Sequence, residues 1–359
     1  MAHPIIINAT HLGFRPTGIG IYALELLREW AARPGGFEFR VYVHQSAKPL
    51  VEGLTSESFS LRTVSFPQHS NPRRYLFANL LAARERKAVV FHVSQFEAVL
   101  VGQHQIITVH DLIPLQTLIS RVQRFYFREV LPRSLARAAR VITPSQTTAD
   151  LLQERYRTPA SKIRVIPHGV RTFKSDVAPA QFDRPYILFA GRLTTYRNLD
   201  RLVSAFLRIQ DRIEHDLILA GEGAGFKLDV PHPRIRMTGY VDDDALCALY
   251  RGASVFVFPS QSEGFGFPPL EAMLCGTPVV TSKESSLPEV CGSAALFVDP
   301  RSADSIAEGL LRVLLDQQLQ AELREAGTHR VREITWRASA ERHLQVFKEI
   351  HAEATARSV

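Results

Sequence analysis

The stretch SVFVFPSQSEGFGFPPLEAMLCGTPVVTS (254–282) reads as strand, loop, helix and strand in direct succession. SVFVFPS (254–260) is a short run of β-branched and aromatic residues closed by a turn-forming Pro–Ser pair, and PVVTS (278–282) repeats that composition. Between them, Gly264 and Gly266 permit close backbone approach to a ligand. Pro268 and Pro269 suit the first turn of a helix that runs on through LEAMLC. The free N–H groups of that turn make an anion site that a diphosphate would fit. Glu263 lies in the loop and Glu271 eight positions later in the first turn, so the two carboxylates can face one pocket from two levels. A carboxylate is a good bidentate acceptor for a ribose or hexose diol. The spacing is equally compatible with an ordinary helix start that gathers acidic residues at its N-terminus.

The same strand–helix alternation extends in both directions. Before it come PIIIN (4–8), FRVYVH (39–44), AVVFHVS (88–94), QIITVHD (105–111) and RVITPS (140–145), with helical stretches such as IGIYALELLREWAAR (19–33) between them. After a connection near 169–184 the pattern restarts with YILFAG (186–191), DLILAGEG (216–223) and RIRMTGYV (234–241). Alternation of this kind predicts an α/β chain of parallel sheets covered by helices. The expected division is a first Rossmann-like domain over 1–170, a linker over 171–184, a second over 185–337, and a terminal helix over 338–359 that packs back on the first. In open parallel sheets ligands sit beyond the carboxyl ends of the strands, so two facing sheets would place a site in a central cleft.

Composition narrows the function class. The chain has 359 residues, 45% hydrophobic and 22% charged, as in soluble globular proteins. No apolar run approaches the roughly 20 residues that span a bilayer, and MAHPIIINAT lacks the basic and apolar regions of a signal peptide. The expectation is a cytoplasmic protein. Cys247, Cys275 and Cys291 form no C-x-x-C pair, which argues against a disulfide framework or a zinc site. Charge is uneven: residues 1–170 carry 21 Lys plus Arg against 11 Asp plus Glu, residues 171–359 carry 22 against 25. A basic first half points to an anionic partner. Arg73, Arg74, Arg84, Arg86 and Lys87 in 71–87, and Arg121, Arg124 and Arg128 in 120–140, mix with aromatic residues at helical spacing. That mixture suits an anionic membrane or acceptor surface, though a plain solvated face has the same composition. No recognised nucleic-acid motif accompanies it.

In linear order, GIGIY (18–22), TVHDL (108–112), VITPSQTTADLL (141–152), VIPHGV (165–170), FAGRLTTYRNLDRLVSAF (189–206), LAGEG (219–223), the segment 239–282 and SLPEVCGSAALFVDP (286–300) resemble the retaining glycosyltransferases of family 4. Glu263 and Glu271 correspond to the E-x7-E signature of that family, and the resemblance covers nearly the whole chain. It implies the GT-B fold and a nucleotide-sugar donor. Within the family the sequence is most similar to bacterial mannosyltransferases of polysaccharide assembly. That implies GDP-mannose as donor and a saccharide or lipid-linked acceptor, with UDP- or dTDP-sugars as the alternative donors. Glu271 would hydrogen-bond the ribose and Glu263 the transferred sugar. The backbone at Phe265 and Gly266 would hold sugar hydroxyls, and that at Pro269 and Leu270 the distal phosphate. Val241 would line the nucleotide, and Gly18 and Gly20 would approach the diphosphate.

Arg192 and Arg197 follow YILFAG and would neutralise the leaving diphosphate. The family usually places Lys where Arg197 stands, and an arginine fork is not a neutral replacement for an ammonium point charge. His110, at a strand end, is expected near the donor sugar; a structural histidine is the alternative. His168 reads as a turn residue. Asp242-Asp243-Asp244 has the form of a metal–diphosphate motif, but preceding ALCALYRGA it reads as a helix cap, so no cofactor and no essential metal are expected. The rivals are a phosphorylase, for which Lys174, Lys227 and Lys283 lack a cofactor context, a sugar-nucleotide epimerase, and a non-catalytic membrane- or nucleic-acid-binding protein on the same fold.

Overall fold

Among the described residues, thirteen strands of three to six residues carry the Val, Ile, Leu and Phe runs, and nearly all of those side chains are inaccessible to solvent. Strands buried on both faces need helices on both sides, and parallel pairing supplies them through crossover connections. The computed structural model describes residues 4–13, 16–66, 71–85, 88–97, 99–102, 104–115, 120–223, 226–227 and 231–356. The chain forms two compact units, Met1–Gly169 with Thr335–Val359, and Val170–Ile334.

The first unit holds a seven-stranded sheet made of β1 (Ile5–Ala9), β2 (Phe39–His44), β3 (Phe59–Val64), β4 (Val90–His92), β5 (Gln105–Thr108), β6 (Arg140–Thr143) and β7 (Ile163–Val165). Its order is β3-β2-β1-β4-β5-β6-β7, and every described pairing is parallel. The order reverses direction between β1 and β4, which makes the gap between their carboxyl ends a topological switch point. The second unit holds a six-stranded parallel sheet of β8 (Tyr186–Ala190), β9 (Asp216–Ala220), β10 (Ile235–Gly239), β11 (Val255–Phe258), β12 (Val279–Ser282) and β13 (Leu296–Val298), in the order β10-β9-β8-β11-β12-β13. Its switch point lies between β8 and β11. Strands β3, β7 and β13 were not read from the sequence. β3 is a largely solvated edge strand, and the other two are only three residues long.

The helix Trp336–Ala356 belongs to the first unit. Phe347 packs on Trp30, Phe39 and Phe91, and Trp30 Nε1 donates to the Ala340 carbonyl. Arg140 and Arg164 pair with Glu349 on its outer side. Beneath this helix lies a buried imidazole cluster. The hydroxyl of Tyr22 sits 2.7 Å from His343 Nε2 and 2.9 Å from Thr108 Oγ1. His110 Nδ1 lies 3.3 Å from His168 Nε2, and His168 stacks on Trp336. The glycine beside His168 is steric in origin: a Cβ on Gly169 would lie 2.2 Å from the Trp336 amide nitrogen.

This cluster makes the first unit acid-labile. Burial pushes His92 down to about 3 and His110 and His343 to about 4, so all three stay neutral in the folded chain. Unfolded, they titrate near 6.5, and the unfolded chain then binds more protons, so stability falls as pH drops from about 6.5 toward 4. Glu97 opposes them: burial pushes its carboxyl up to about 7, a contribution that becomes more favourable as pH falls from 7 to 4.5. His11, which burial pushes to about 3, and His168, which it pushes well below its ordinary value, act in the same sense, so five imidazoles stand against one carboxyl and a net loss is expected. Urea midpoints of the first unit's transition at pH 7.5, 6 and 5 should fall steadily, and the unfolding free energy extrapolated to water should change between pH 6 and 5 by more than the single-group limit of about 1.4 kcal/mol per pH unit. A flat midpoint would contradict the neutral cluster.

Candidate functional site

The carboxyl ends of β8 and β11 gather the charged residues of the second unit. After β8 the chain passes Gly191 in a positive-φ conformation, makes a short turn at Thr195–Arg197, and enters the helix Leu199–Ile209 through Asn198. Asn198 is itself left-handed, a conformation its short polar side chain tolerates. Its Nδ2 donates to the Pro259 carbonyl at 3.2 Å and to that of Pro300, which ties the turn to the ends of β11 and β13. The Gln261 amide donates to the Tyr196 carbonyl at 2.9 Å, and the Ser260 hydroxyl oxygen lies 3.3 Å from the same carbonyl. These bonds pin the loop carrying Arg197 onto the loop carrying Glu263.

The result is a buried ion pair, with Arg197 Nε 3.2 Å from Glu263 Oε1. Ser260 Oγ donates to the same oxygen at 2.7 Å, and the Arg197 guanidinium lies 4.6 Å over the Phe258 ring. The backbone of Glu263 is fixed too. Its amide donates to Ser285 Oγ, and its carbonyl accepts from Ser285 and Ser286. Burial raises the Glu263 carboxyl above its ordinary range against the pull of Arg197 and Ser260. For Arg197, burial is the largest single influence and works against the charge, but Glu263 together with Tyr196 and Tyr250 outweighs it and the guanidinium is held in its charged form. Neither Nε nor Nη1 of Arg197 makes a hydrogen bond among the described residues, so the contact of Nε with Glu263 is an ion pair and Nη1 is buried with no partner there. A Cβ at position 191 would stand 3.1 Å from it, so Gly191 keeps that nitrogen clear.

Gly266, at φ 116°, turns the chain into the helix Phe267–Leu274, with prolines in the first turn. Any Cβ there would meet Leu287 at 2.8 Å. Glu271 is buried in this helix, with Oε2 accepting from the Tyr250 hydroxyl at 3.0 Å and Oε1 lying 2.9 Å from Arg171 Nε. Burial raises this carboxyl as well, against Arg171 and Tyr250. The arrangement provides two fixed carboxylates for hydroxyl groups and a desolvated guanidinium for an anion, all beyond the carboxyl ends of one parallel sheet. That is the placement expected of a ligand site in an open α/β sheet.

Two family patterns tile the chain: residues 16–173 match Glycosyltransferase Family 4, and residues 170–330 match Glycosyl transferases group 1. The chain belongs to glycosyltransferase family 4. It is 28% identical to O-antigen chain mannosyltransferase B of Escherichia coli, over 96% of this chain and 99% of that one. It is 27% identical to O-antigen chain mannosyltransferase RfbU of Salmonella typhimurium, over 82% and 87%. Sucrose-phosphate synthase of Thermosynechococcus elongatus superposes with a TM-score of 0.75 at 21% identity, covering 98% of this chain and 100% of its own. Anabaena HepE in complex with UDP and glucose gives 0.71 at 16% identity, over 97% and 100%. The fold is GT-B and the protein is a glycosyltransferase.

In this glycosyltransferase, Arg197 and Glu263 are paired, Phe265, Gly266, Pro269, Leu270 and Glu271 follow Glu263 on the same loop and helix, Arg192 is exposed on the loop after β8, and Val241 is half-buried ahead of the helix Asp243–Gly252. Pro269 has no amide hydrogen, so of the Pro269–Leu270 pair only Leu270 carries a backbone donor. Asp242 caps the helix Asp243–Gly252 by accepting from Ala245 N, and Asp243 and Asp244 pair with Arg171 and Lys174. Gly18 opens the helix Gly18–Ala32 and is exposed, whereas Gly20 packs tightly on Pro16.

His110 departs from expectation. Its Nε2 donates to the Val93 carbonyl at 2.8 Å and its Nδ1 faces His168, so both ring nitrogens are spent inside the first unit. Arg74 is also misplaced as a surface residue, because it is buried against His11 and Glu97. Arg73, Arg84, Arg121, Arg124 and Arg128 are exposed, and Arg86 and Lys87 lie outside the described residues. The sequence reading missed Asn198, Tyr250, Ser260 and Ser285, and assigned Arg171 to a linker. Only Ser260, at the end of a strand, carried a local signal.

The buried pair yields a stability test. Arg197→Met leaves the Glu263 charge uncompensated and should cost about 3–5 kcal/mol in urea unfolding, most of which Glu263→Gln should restore in the double variant. Additive losses would mean that the two side chains do not pair in solution.

Proposed function

We propose that this glycosyltransferase moves a mannosyl residue from GDP-mannose, with retention of configuration, onto a saccharide or lipid-linked acceptor in cell-surface polysaccharide assembly. The observation that carries this reading is the buried Arg197–Glu263 pair at the switch point of the second sheet, on the loop that leads into the helix bearing Glu271. The mannosyltransferase names of the relatives that match over most of the chain support the choice of sugar.

In this reading Glu271 accepts from the ribose hydroxyls, using the lone pairs left by Tyr250 and Arg171. Arg197 donates from Nη1 to the distal phosphate, and exposed Arg192 adds charge from the same loop. Both serve the bond-breaking step, in which negative charge grows on the departing diphosphate. Glu263 holds Arg197 through Oε1 and offers Oε2 to a hydroxyl of the transferred sugar. The acceptor hydroxyl attacks the face that the diphosphate leaves, and a phosphate oxygen takes its proton. Charge compensation by arginines assigns no step to a metal.

The helical run Arg121–Arg137 supports a peripheral membrane role. Arg121, Arg124, Arg128 and Arg133 line a 610 Å³ hollow around Phe125. Phe125 and neighbouring Val122 are 62% and 71% exposed. Apolar side chains ringed by arginines suit an anionic lipid surface, where each cation contributes about 1 kcal/mol.

Two outcomes follow. GDP-mannose at about 100 times its dissociation constant should stabilise the chain by about 2.7 kcal/mol in thermal unfolding, whereas a shift with UDP- or dTDP-sugars alone would displace the mannose assignment. Arg197→Ala and Glu263→Ala should each lower kcat at least ~100-fold, and a loss under tenfold would remove the residue from the mechanism. Separately, the chain should co-sediment with vesicles containing phosphatidylglycerol, less so at high salt, and the pair of substitutions Phe125→Ser and Arg124→Glu should abolish that binding.

A further inference from the structure

The first sheet carries a second constellation at its own switch point, built like the one in the second unit. Asn8, Thr10 and His11 lie at or just beyond the end of β1, and His92 and Glu97 at or beyond the end of β4. Thr10 Oγ1 donates to Glu97 Oε1 at 2.8 Å, joining the two strand ends as Arg197 and Glu263 do in the other sheet. Arg74 reaches in from the helix Asn71–Arg84, with its Nε 3.9 Å from Glu97 Oε1. Glu97 is fully buried and Arg74 nearly so.

The arrangement decides the state of His11. Arg74 Nη1 lies 2.9 Å from His11 Nδ1 and can only donate, so Nδ1 is bare and the ring proton sits on Nε2. Burial, and next the Arg74 charge, push the imidazole down to about 3, so it is neutral throughout the physiological range. The ring stacks on Phe96 with planes 12° apart, which fixes its direction. Its Nε2 edge makes no bond to the described residues, and His11 is the partly exposed member of the trio. A neutral, oriented N–H beyond the carboxyl end of a parallel sheet is a donor for an uncharged oxygen. Phosphate would call for an accessible cation, and Arg74 is buried against Glu97.

We propose that His11 Nε2–H donates to a hydroxyl oxygen of the saccharide acceptor, with Arg74 and Glu97 as positioning residues that set its tautomer and orientation. This rests on the glycosyl-transfer reading and adds the acceptor subsite to it.

The test uses the full chain with 15N-labelled histidine, titrated with methyl α-D-mannopyranoside, methyl α-D-glucopyranoside, methyl N-acetyl-β-D-glucosaminide and inorganic phosphate. At least one glycoside should shift the His11 Nε2–H signal and leave the His168 signal in place, and phosphate should not. His11→Phe keeps an aromatic ring against Phe96 and removes the donor, so glycoside affinity should fall at least tenfold. Glu97→Gln should weaken it about fivefold and move the His11 signal in the free protein, a response that a purely structural carboxylate would not give. GDP-mannose affinity, measured in parallel, should be the same in all three proteins. Unchanged glycoside binding by His11→Phe, a response to phosphate alone, or no glycoside response in a chain that binds GDP-mannose would each overturn the acceptor subsite. Glycoside binding in a chain that takes up no nucleotide sugar would overturn the donor reading instead.

Discussion

Parallel strand pairing is the constraint on which both units depend. A parallel sheet needs a crossover for every strand, and the crossovers cover both faces with helices, so almost nothing polar is tolerated along the strands themselves. Polar chemistry is displaced to the strand ends. There the order of strands reverses once in each sheet, between β1 and β4 and between β8 and β11, and each reversal opens a crevice that no crossover fills. Two buried carboxylate–arginine pairs, Glu97 with Arg74 and Glu263 with Arg197, occupy these two places. A carboxylate in such a crevice cannot stay ionised without a nearby cation, and a guanidinium there cannot stay unpaired. Each therefore fixes the other's position, and that mutual need keeps them rigid before any ligand arrives.

How much of this was legible follows from the range of the forces involved. The central strands were readable because their side chains are apolar on both faces, and the helix starting at Phe267 because glycine and proline punctuate it. Edge strand β3 was not, since FSLRTV turns most of its side chains to solvent and so lacks an apolar run. At the site, Glu263 and Glu271 were visible through local spacing and the resemblance that followed. Tyr250 and Arg171, which hold Glu271, come from elsewhere in the chain and carry no local pattern. His110 was visible as a histidine at a strand end, but its orientation depends on Val93 and His168, far from it in sequence. Arg74 sat among exposed arginines in a helical run, and its neighbours Arg73 and Tyr75 gave no hint that one position in that run turns inward to Glu97.

The arginine at 197, where the resemblance implies a lysine, has a physical setting that suits a planar cation. The ring of Phe258 lies 4.6 Å from its guanidinium carbon, a cation–π contact that a flat, weakly hydrated fork makes well. The fork can keep Nε on Glu263 while Nη1 stays available, whereas a single ammonium would divide its donors from one point. The geometry therefore separates the residue's two tasks onto two nitrogens.

The helix Trp336–Ala356 has a consequence for how the chain acquires its structure. Its Phe347, Ala340 and His343 complete the core around Trp30, Phe91 and Tyr22, yet on the ribosome it emerges only after the whole of Val170–Ile334. The second unit is contiguous and can close as soon as its residues are out. The first unit, although synthesised first, must wait with its aromatic wall open. The first core is thus completed after the second, and during that interval the nascent chain leaves the aromatic face of Trp30 and Phe91 uncovered.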